Sequence, residues 1–367
     1  MTGKRLLSLD AFRGLTIAGM ILVNNPGSWK YVYAPLRHAE WHGWTPTDLV
    51  FPFFLFIVGV SISLSFSSRL EQNAARGDLY LKIVKRTLIL FALGLLLALI
   101  PRFNFSTLRI PGVLQRIAIC YLFSSLLFLK LKSRGRMIMV FSLLTLYWIV
   151  MKLVPVPGYG AGVLEYEGNL CAYIDTKILA GHLYKPGFDP EGILSTFPAI
   201  ATALLGTLTG DWLRSSRTVL GKIGGLFIGG FGLILSGLLL HPLFPINKQL
   251  WTSTYVLFTA GAALLLLGIC FWLIEGLGVK KWAIPFLIFG TNAITVYVCS
   301  SLMAKLMGLV RVSSGGEVLS FKEFIYNHLL VPWAGYINGS LVFPFLLILI
   351  WIGIMIPLYR NKIFIRI

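Results

Sequence analysis

Charge is what this 367-residue chain is short of. Asp, Glu, Lys and Arg make up 13% of it, where a soluble domain carries roughly a quarter, and that shortage excludes an ordinary water-soluble fold. Acids are scarcest, with 14 Asp and Glu against 32 Lys and Arg, for a formal net charge of +18. Cysteine is sparse too. Cys120, Cys171, Cys270 and Cys299 lie in different segments, which argues against a disulfide framework and against a cysteine metal site. No small-x-small cleavage site follows the first apolar run, and Asp10 and Arg13 interrupt that run, so it reads as an uncleaved first span. An internal repeat is missing as well, which counts against a transporter built from duplicated halves. No soluble domain is attached.

What the chain has is hydrocarbon. Hydrophobic residues make up 57% and the mean hydropathy is +0.81. Runs of about 20 apolar residues, enough to cross a bilayer, recur throughout. The expectation is an all-α, polytopic integral membrane protein, a single transmembrane domain over 1–367. About ten spans are expected, at 6–23, 48–66, 84–100, 112–129, 137–154, 192–210, 219–240, 252–275, 282–307 and 341–359, with an eleventh, shorter stretch at 324–336. Lys and Arg crowd alternate loops: Lys4 and Arg5, then Arg69, Arg76, Lys82, Lys85 and Arg86, then 130–136, 211–222, Lys280 with Lys281, and Arg360, Lys362 and Arg366. The positive-inside bias puts those loops and both termini in the cytoplasm. The net charge therefore reads as topology, with attraction to anionic lipid or an anionic cofactor in addition; charges dispersed over short loops do not make a nucleic-acid surface. The longest loop, 155–191, is then extracytoplasmic, and its Gly, Pro, Tyr and acids suit a lid or a recruiting surface.

The densest polar cluster runs from Arg37 to Pro52 and includes His38, Glu40, Trp41, His42, Trp44 and Asp48. It sets an imidazole and a carboxylate at the mouth of the second span, where polar groups are expensive and line cavities, paths or reaction sites. Asn24 and Asn25 end the first span on the same side. Gln115 and Arg116 open the fourth, Asn247, Lys248 and Trp251 precede the eighth, and Asn292 lies inside the ninth. Five helices thus offer polar groups to one layer, which a cavity explains better than chance. Asp10 and Arg13, three apart, are placed to pair on a helix face. His42 would share a helix face with His38 if 38–42 were helical, as two metal ligands; no third ligand converges, so no metal is expected.

In sequence the chain resembles heparan-α-glucosaminide N-acetyltransferase and its bacterial relatives. The resemblance is carried by Ser8-Leu9-Asp10-Ala11-Phe12-Arg13-Gly14, Val23-Asn24, His38-Ala39-Glu40-Trp41 with Gly43, and Asp48-Leu49-Val50-Phe51-Pro52. It continues through Ile110-Pro111-Gly112-Val113-Leu114-Gln115-Arg116, Asp189-Pro190-Glu191-Gly192, Pro245-Ile246-Asn247-Lys248-Gln249-Leu250-Trp251 and Gly290-Thr291-Asn292. These matches run in order from the first expected span to the ninth. The resemblance implies a compact bacterial form without the large luminal N-terminal extension of the lysosomal enzyme, set in the inner membrane. It also implies acetyl transfer from cytoplasmic acetyl-CoA to the amine of an extracytoplasmic glucosamine-type sugar. The family's active-site histidine falls on His38 and its nearby asparagine on Asn24.

The chemistry of the residues agrees. A thioester is already activated, so the protein must deliver a neutral amine and stabilise an oxyanion. An imidazole can take the amine proton or attack the thioester itself and carry the acetyl group. Asn24, Asn25 or Arg116 could donate to the oxyanion. The expected catalytic residues are His38, Asn24 and Asp48. Acetyl-CoA would be held by Arg116, Asn292, Arg69, Lys85, Arg86 and Arg366, and the acceptor by Asp10, Asn25, Trp41, Asn247, Lys248 and Trp251. The alternatives are a carrier for an N-acetylglucosamine-related sugar and an O-acyltransferase on a glycan. The partners expected are the sugar or glycan, acetyl-CoA and the bilayer, with a second copy of the chain left open because glycine-rich spans pack closely within or between protomers.

Overall fold

The computed structural model describes residues 6–73, 75–100, 103–314 and 316–365. It is nearly all helix. Helix α1 (Leu7–Asn24) leads into an irregular segment carrying His38, a 3-10 turn at Pro46–Leu49, and α2 (Val50–Glu71). Then come α3 (Arg76–Leu99), α4 (Val113–Lys130), α5 (Ser133–Leu153), a two-stranded hairpin of β1 (Pro155–Val156) and β2 (Gly160–Ala161), and α6 (Leu170–Ile178). The chain continues through α7 (Thr196–Arg214), α8 (Val219–Leu239), α9 (Ser253–Phe271), α10 (Ile284–Thr291) and α11 (Ala293–Leu309). A second hairpin, β3 (Arg311–Ser314) with β4 (Glu317–Ser320), precedes α12 (Phe321–Phe324), a π-helical turn at Ile325–Leu330, and α13 (Val331–Arg360).

Among the described residues, seven helical stretches are long and apolar enough to cross a bilayer: Leu7–Asn24, Pro46–Glu71, Val113–Lys130, Ser133–Leu153, Val219–Leu239, Ser253–Gly276 and Phe321–Arg360. Helices α10 and α11, bent by 74° at Asn292, make an eighth if counted as one. The chain is a multipass membrane protein, but the expected count of ten is not reached by length and composition. The two expected spans that this criterion leaves out are α3 and α7. Helix α3 puts Arg76, Asp78, Lys82, Lys85 and Arg86 into its first three turns, leaving a short apolar run. Helix α7 is rich in Thr and Gly and ends in Asp211 and Arg214. The expected eleventh stretch is continuous with α13, which kinks where Gly335 takes a φ of 73°.

Helix α2 is the hub, packed against α1, α4, α7 and α9, with Leu55, Phe56 and Val60 fully buried. Lipid tails are as apolar as leucine, so helices in a bilayer gain by close backbone approach at small residues. Two crossings show this. A Cβ on Gly59 of α2 would stand 1.9 Å from the Ala203 carbonyl of α7, and one on Gly206 of α7 would stand 2.1 Å from the Phe56 carbonyl. Likewise a Cβ on Gly14 of α1 would stand 1.8 Å from the Phe286 carbonyl oxygen, and one on Gly290 would stand 1.9 Å from the Asp10 carbonyl oxygen.

Candidate active site

Helices α1 and α2 run antiparallel between two cavities. The first, of about 340 Å³, sits at the C-terminal end of α1 and the start of α2 and holds Asn24, His38, Trp41, Asp48, Arg109, Glu191 and Lys248 on its wall. The segment that carries His38 is irregular, so His38 and His42 do not share a helix face. His42 instead approaches Asn247 Nδ2 at 3.3 Å and Glu165 at 3.8 Å.

Asp48 joins structure to chemistry here. It stands in the capping box that opens the 3-10 turn leading into α2, with Pro46 at the first position of the turn, and such caps satisfy amides that would otherwise be orphaned. Its Oδ2 accepts from the Ala39 and Thr45 amides at 3.1 and 3.0 Å and from Thr45 Oγ1 at 3.1 Å. Its Oδ1 lies 2.6 Å from His38 Nδ1 and 3.3 Å from Lys248 Nζ. Asp48 is 1% exposed and every one of these partners is a donor, the arrangement a carboxylate anion requires. An anion at that distance fixes the Nδ1–H tautomer of His38, which leaves the Nε2 lone pair as the basic site. Lys248 Nζ is 3.0 Å from the same Nδ1. Burial pulls the Lys248 ammonium below the usual lysine range, and the Asp48 charge opposes that pull.

Lys248 is delivered by a tight turn. Asn247 Oδ1 accepts from the Leu250 amide at 2.8 Å, and Trp251 takes a φ of 49°, a left-handed conformation that costs a non-glycine residue about 1–2 kcal/mol. Packing holds it there. Trp251 is buried edge-on to Phe51 and Tyr255 and lies under the Arg116 guanidinium at 5.0 Å, and its Nε1 donates to Thr202 Oγ1 at 3.2 Å.

The loop before α7 closes over this cavity. Arg109 grips Asp189 with two hydrogen bonds, at 2.8 and 2.6 Å, and also pairs with Glu191. Trp41 stands edge-on to Phe188 at 5.5 Å and to Tyr166 at 5.4 Å, giving the wall an aromatic face.

The second cavity, of about 690 Å³, opens at the other end of the same helices. Arg13, Arg69, Lys82, Lys85 and Arg86 line it, with Asp10, Tyr121 and the α10–α11 break at Asn292. Arg13 pairs with Asp10 at 2.8 Å and donates to Ser61 Oγ at 2.8 Å. Arg86 lies over the Tyr121 ring at 4.8 Å, and the buried Arg86 Nε and Tyr121 hydroxyl find no protein partner among the described residues. A polyanion with hydrogen-bonding groups fits this wall: it carries five cations, Arg13 paired with Asp10 among them, and beside them the buried Arg86 Nε and Tyr121 hydroxyl have no protein partner among the described residues. Asn292 anchors the chain's tail, donating to the Ile363 carbonyl at 3.1 Å and accepting from the Ile365 amide at 2.8 Å.

The cavities lie back to back. On α2, Phe51 faces the first and Phe54 the second, three residues or about 4.5 Å apart along the axis. On α4 the corresponding pair is Val113 and Ile117. On these two helices the linings of the two spaces come within about one turn of each other.

The structure gathers Asn24, His38, Trp41, Asp48 and Lys248 at the first cavity, and Arg69, Lys85, Arg86 and Asn292 at the second. Asp10, expected near the acceptor, lines the second cavity instead. Arg116, Asn25, Asn247 and Trp251 are buried off both walls: Arg116 binds the Gly192 carbonyl and Ser195 Oγ, Asn25 caps the Ile21 carbonyl, and the other two build the Lys248 turn. Arg366 lies outside the described residues. Sequence reasoning passed over Arg109, Lys185, Glu191 and Tyr297 at the first cavity and Lys82 and Tyr121 at the second. Glu191 had a signal, the Asp189-Pro190-Glu191-Gly192 match; Tyr297 had none.

The family model described as "Heparan-alpha-glucosaminide N-acetyltransferase, catalytic" matches residues 5–228. The mouse (Mus musculus) protein named heparan-alpha-glucosaminide N-acetyltransferase is 30% identical over 353 residues, 81% of this chain and 53% of its own length. The human (Homo sapiens) protein of the same name is 30% identical over 350 residues, covering 80% and 52% respectively. The chain spans about half the length of these relatives.

Proposed function

Because the chain belongs to the heparan-α-glucosaminide N-acetyltransferase family, we propose that it transfers acetyl from acetyl-CoA, held in the basic cavity, to the amine of a glucosamine-type sugar in the histidine cavity. The observation that carries this reading is the pair of cavities whose linings come within about one turn of each other on α2 and α4. The coenzyme's phosphates would lie against Arg69, Lys82, Lys85 and Arg86, and the pantetheine arm would place the thioester at the thin wall. On this reading the basic cavity and both termini would face the cytoplasm, as the positive-inside bias favours, and the histidine cavity would face the outside of a bacterial inner membrane.

In the proposed step, His38 Nε2 takes a proton from the acceptor nitrogen as that nitrogen attacks the acetyl carbonyl. Asp48 holds the tautomer and balances the imidazolium. The Asn24 side-chain amide faces the same space and would donate to the oxyanion. Collapse breaks the C–S bond, and the sulfur leaves as the thiol by taking up the proton that His38 accepted from the nitrogen. Trp41 and Phe188 offer an apolar face to the sugar ring. Purified protein in detergent, given labelled acetyl-CoA and glucosamine, should form N-acetylglucosamine by mass spectrometry. No thioester consumption with any amino sugar, together with sugar uptake into sealed vesicles, would replace transfer with carriage; acetylation of N-acetylglucosamine would shift the reading to a hydroxyl acceptor.

A further inference from the structure

The geometry points to Lys248 as a positioning residue for His38: by sharing the Asp48 carboxylate with the imidazole, its ammonium holds the ring in place and opposes a second positive charge on it. This rests on the reading of His38 as the base.

Three atoms form a closed triangle, His38 Nδ1 to Asp48 Oδ1 at 2.6 Å, Asp48 Oδ1 to Lys248 Nζ at 3.3 Å, and Lys248 Nζ to His38 Nδ1 at 3.0 Å. The shortest side belongs to the ring N–H and the anion. A donor ammonium has no lone pair to meet on that nitrogen, so its hydrogen bond goes to Asp48 and its contact with the ring is one of charge. A cation this close disfavours imidazolium, while the carboxylate favours it. The other charged or titratable groups facing the ring across the cavity are Glu191, Arg109, Lys185, Tyr184 and Tyr297. Arg109 already holds Glu191, so the Asp48–Lys248 pair dominates the local field.

The fold spends strain to keep Lys248 there. The turn from Asn247 to Trp251 runs through a left-handed tryptophan, and Lys248 is largely buried, with 20% of its side chain exposed. Strain that its surroundings over-determine clusters at functional sites. A lysine serving only to cover the cavity mouth would need no such delivery.

Replacing Lys248 with Met leaves Asp48 alone beside the ring, so the imidazole keeps its proton to higher pH. The acid limb of the pH profile of kcat/KM should move up by about one pH unit. Lys248→Arg keeps the charge and should hold the limb near its original position whatever its kcat. Diethyl pyrocarbonate reacts with unprotonated imidazole, and its pH-dependent modification of the His38 peptide, read by mass spectrometry without substrate, should show the same displacement in Lys248→Met and in Lys248→Gln, the second neutral variant if the first fails to fold. Superimposable profiles for the neutral variants and the unaltered protein overturn the inference, as does an equal displacement in Lys248→Arg. If the unaltered protein consumes no acetyl-CoA, the proposed function falls, while the modification profiles still decide this point.

Discussion

At the scale of single residues, His38 and Asp48 act as one unit, and the buried member is the carboxylate. On the proposed reading, removing the imidazole removes the base without touching the basic cavity. His38→Ala should lower transfer by at least about a hundredfold with CoA affinity unchanged by calorimetry; retained turnover would dismiss His38 as the base. A second buried carboxyl makes a pH prediction. Burial pushes Asp175 up to about 6, helped by the Asp189 charge and opposed by the Ile193 amide, which donates at 2.9 Å, and by Arg116. Its folded value lies above the ordinary 3.8, so the folded state binds the proton more tightly. The stability it contributes is full below about pH 4 and lost as pH rises to 6, a loss of about 3 kcal/mol at most. Asp175→Asn keeps the acceptor oxygen and should raise the thermal midpoint at pH 7.5 relative to the unaltered protein, with the gap closing at pH 4. An equal gap at both pH values would contradict this.

At the scale of elements, the helices were legible because apolar runs of bilayer length announce themselves, and their ends were legible where Asn24, Asp48 and Gly112 punctuate them. What misled was amphipathy. The charges of α3 that read as a cytoplasmic loop with a span behind it belong to one helix, whose basic face lines a cavity. The 74° break at Asn292 also escaped, because Gly290-Thr291-Asn292 reads equally well as the interior of a span. The site was half legible. His38 and Asp48 stand ten apart in one polar cluster, whereas Arg109, Glu191 and Tyr297 reach the same wall from distant segments that only packing brings together. The crossing of α2 and α7 makes its own prediction. Gly59→Ala drives a methyl into the Ala203 carbonyl, and overpacking of this kind costs about 1–3 kcal/mol. A lowered thermal midpoint in detergent would be seen; an unchanged one would mean that the helices separate without cost.

At the scale of the whole molecule, the proposed reading divides binding between the two cavities. Arg69, Lys85 and Arg86 line the cavity that His38 does not, so on that reading their contribution to coenzyme binding would be uniform through the reaction. Replacing all three with Gln should raise the KM for acetyl-CoA about tenfold or more, equivalent to about 1.4 kcal/mol, with kcat nearly unchanged. A fall in kcat at constant KM would place the coenzyme elsewhere.

The single turn between Phe51 and Phe54 has an electrical consequence. Vestibules that fill with solvent would conduct, so a membrane voltage would drop across whatever side chains insulate one from the other. A full charge carried over that partition would feel about 2.3 kcal/mol per 100 mV, but an acyl group is neutral and would feel nothing. Turnover in proteoliposomes should therefore ignore a valinomycin-imposed potential, and a rate that follows the potential would mean that an ion crosses with each cycle.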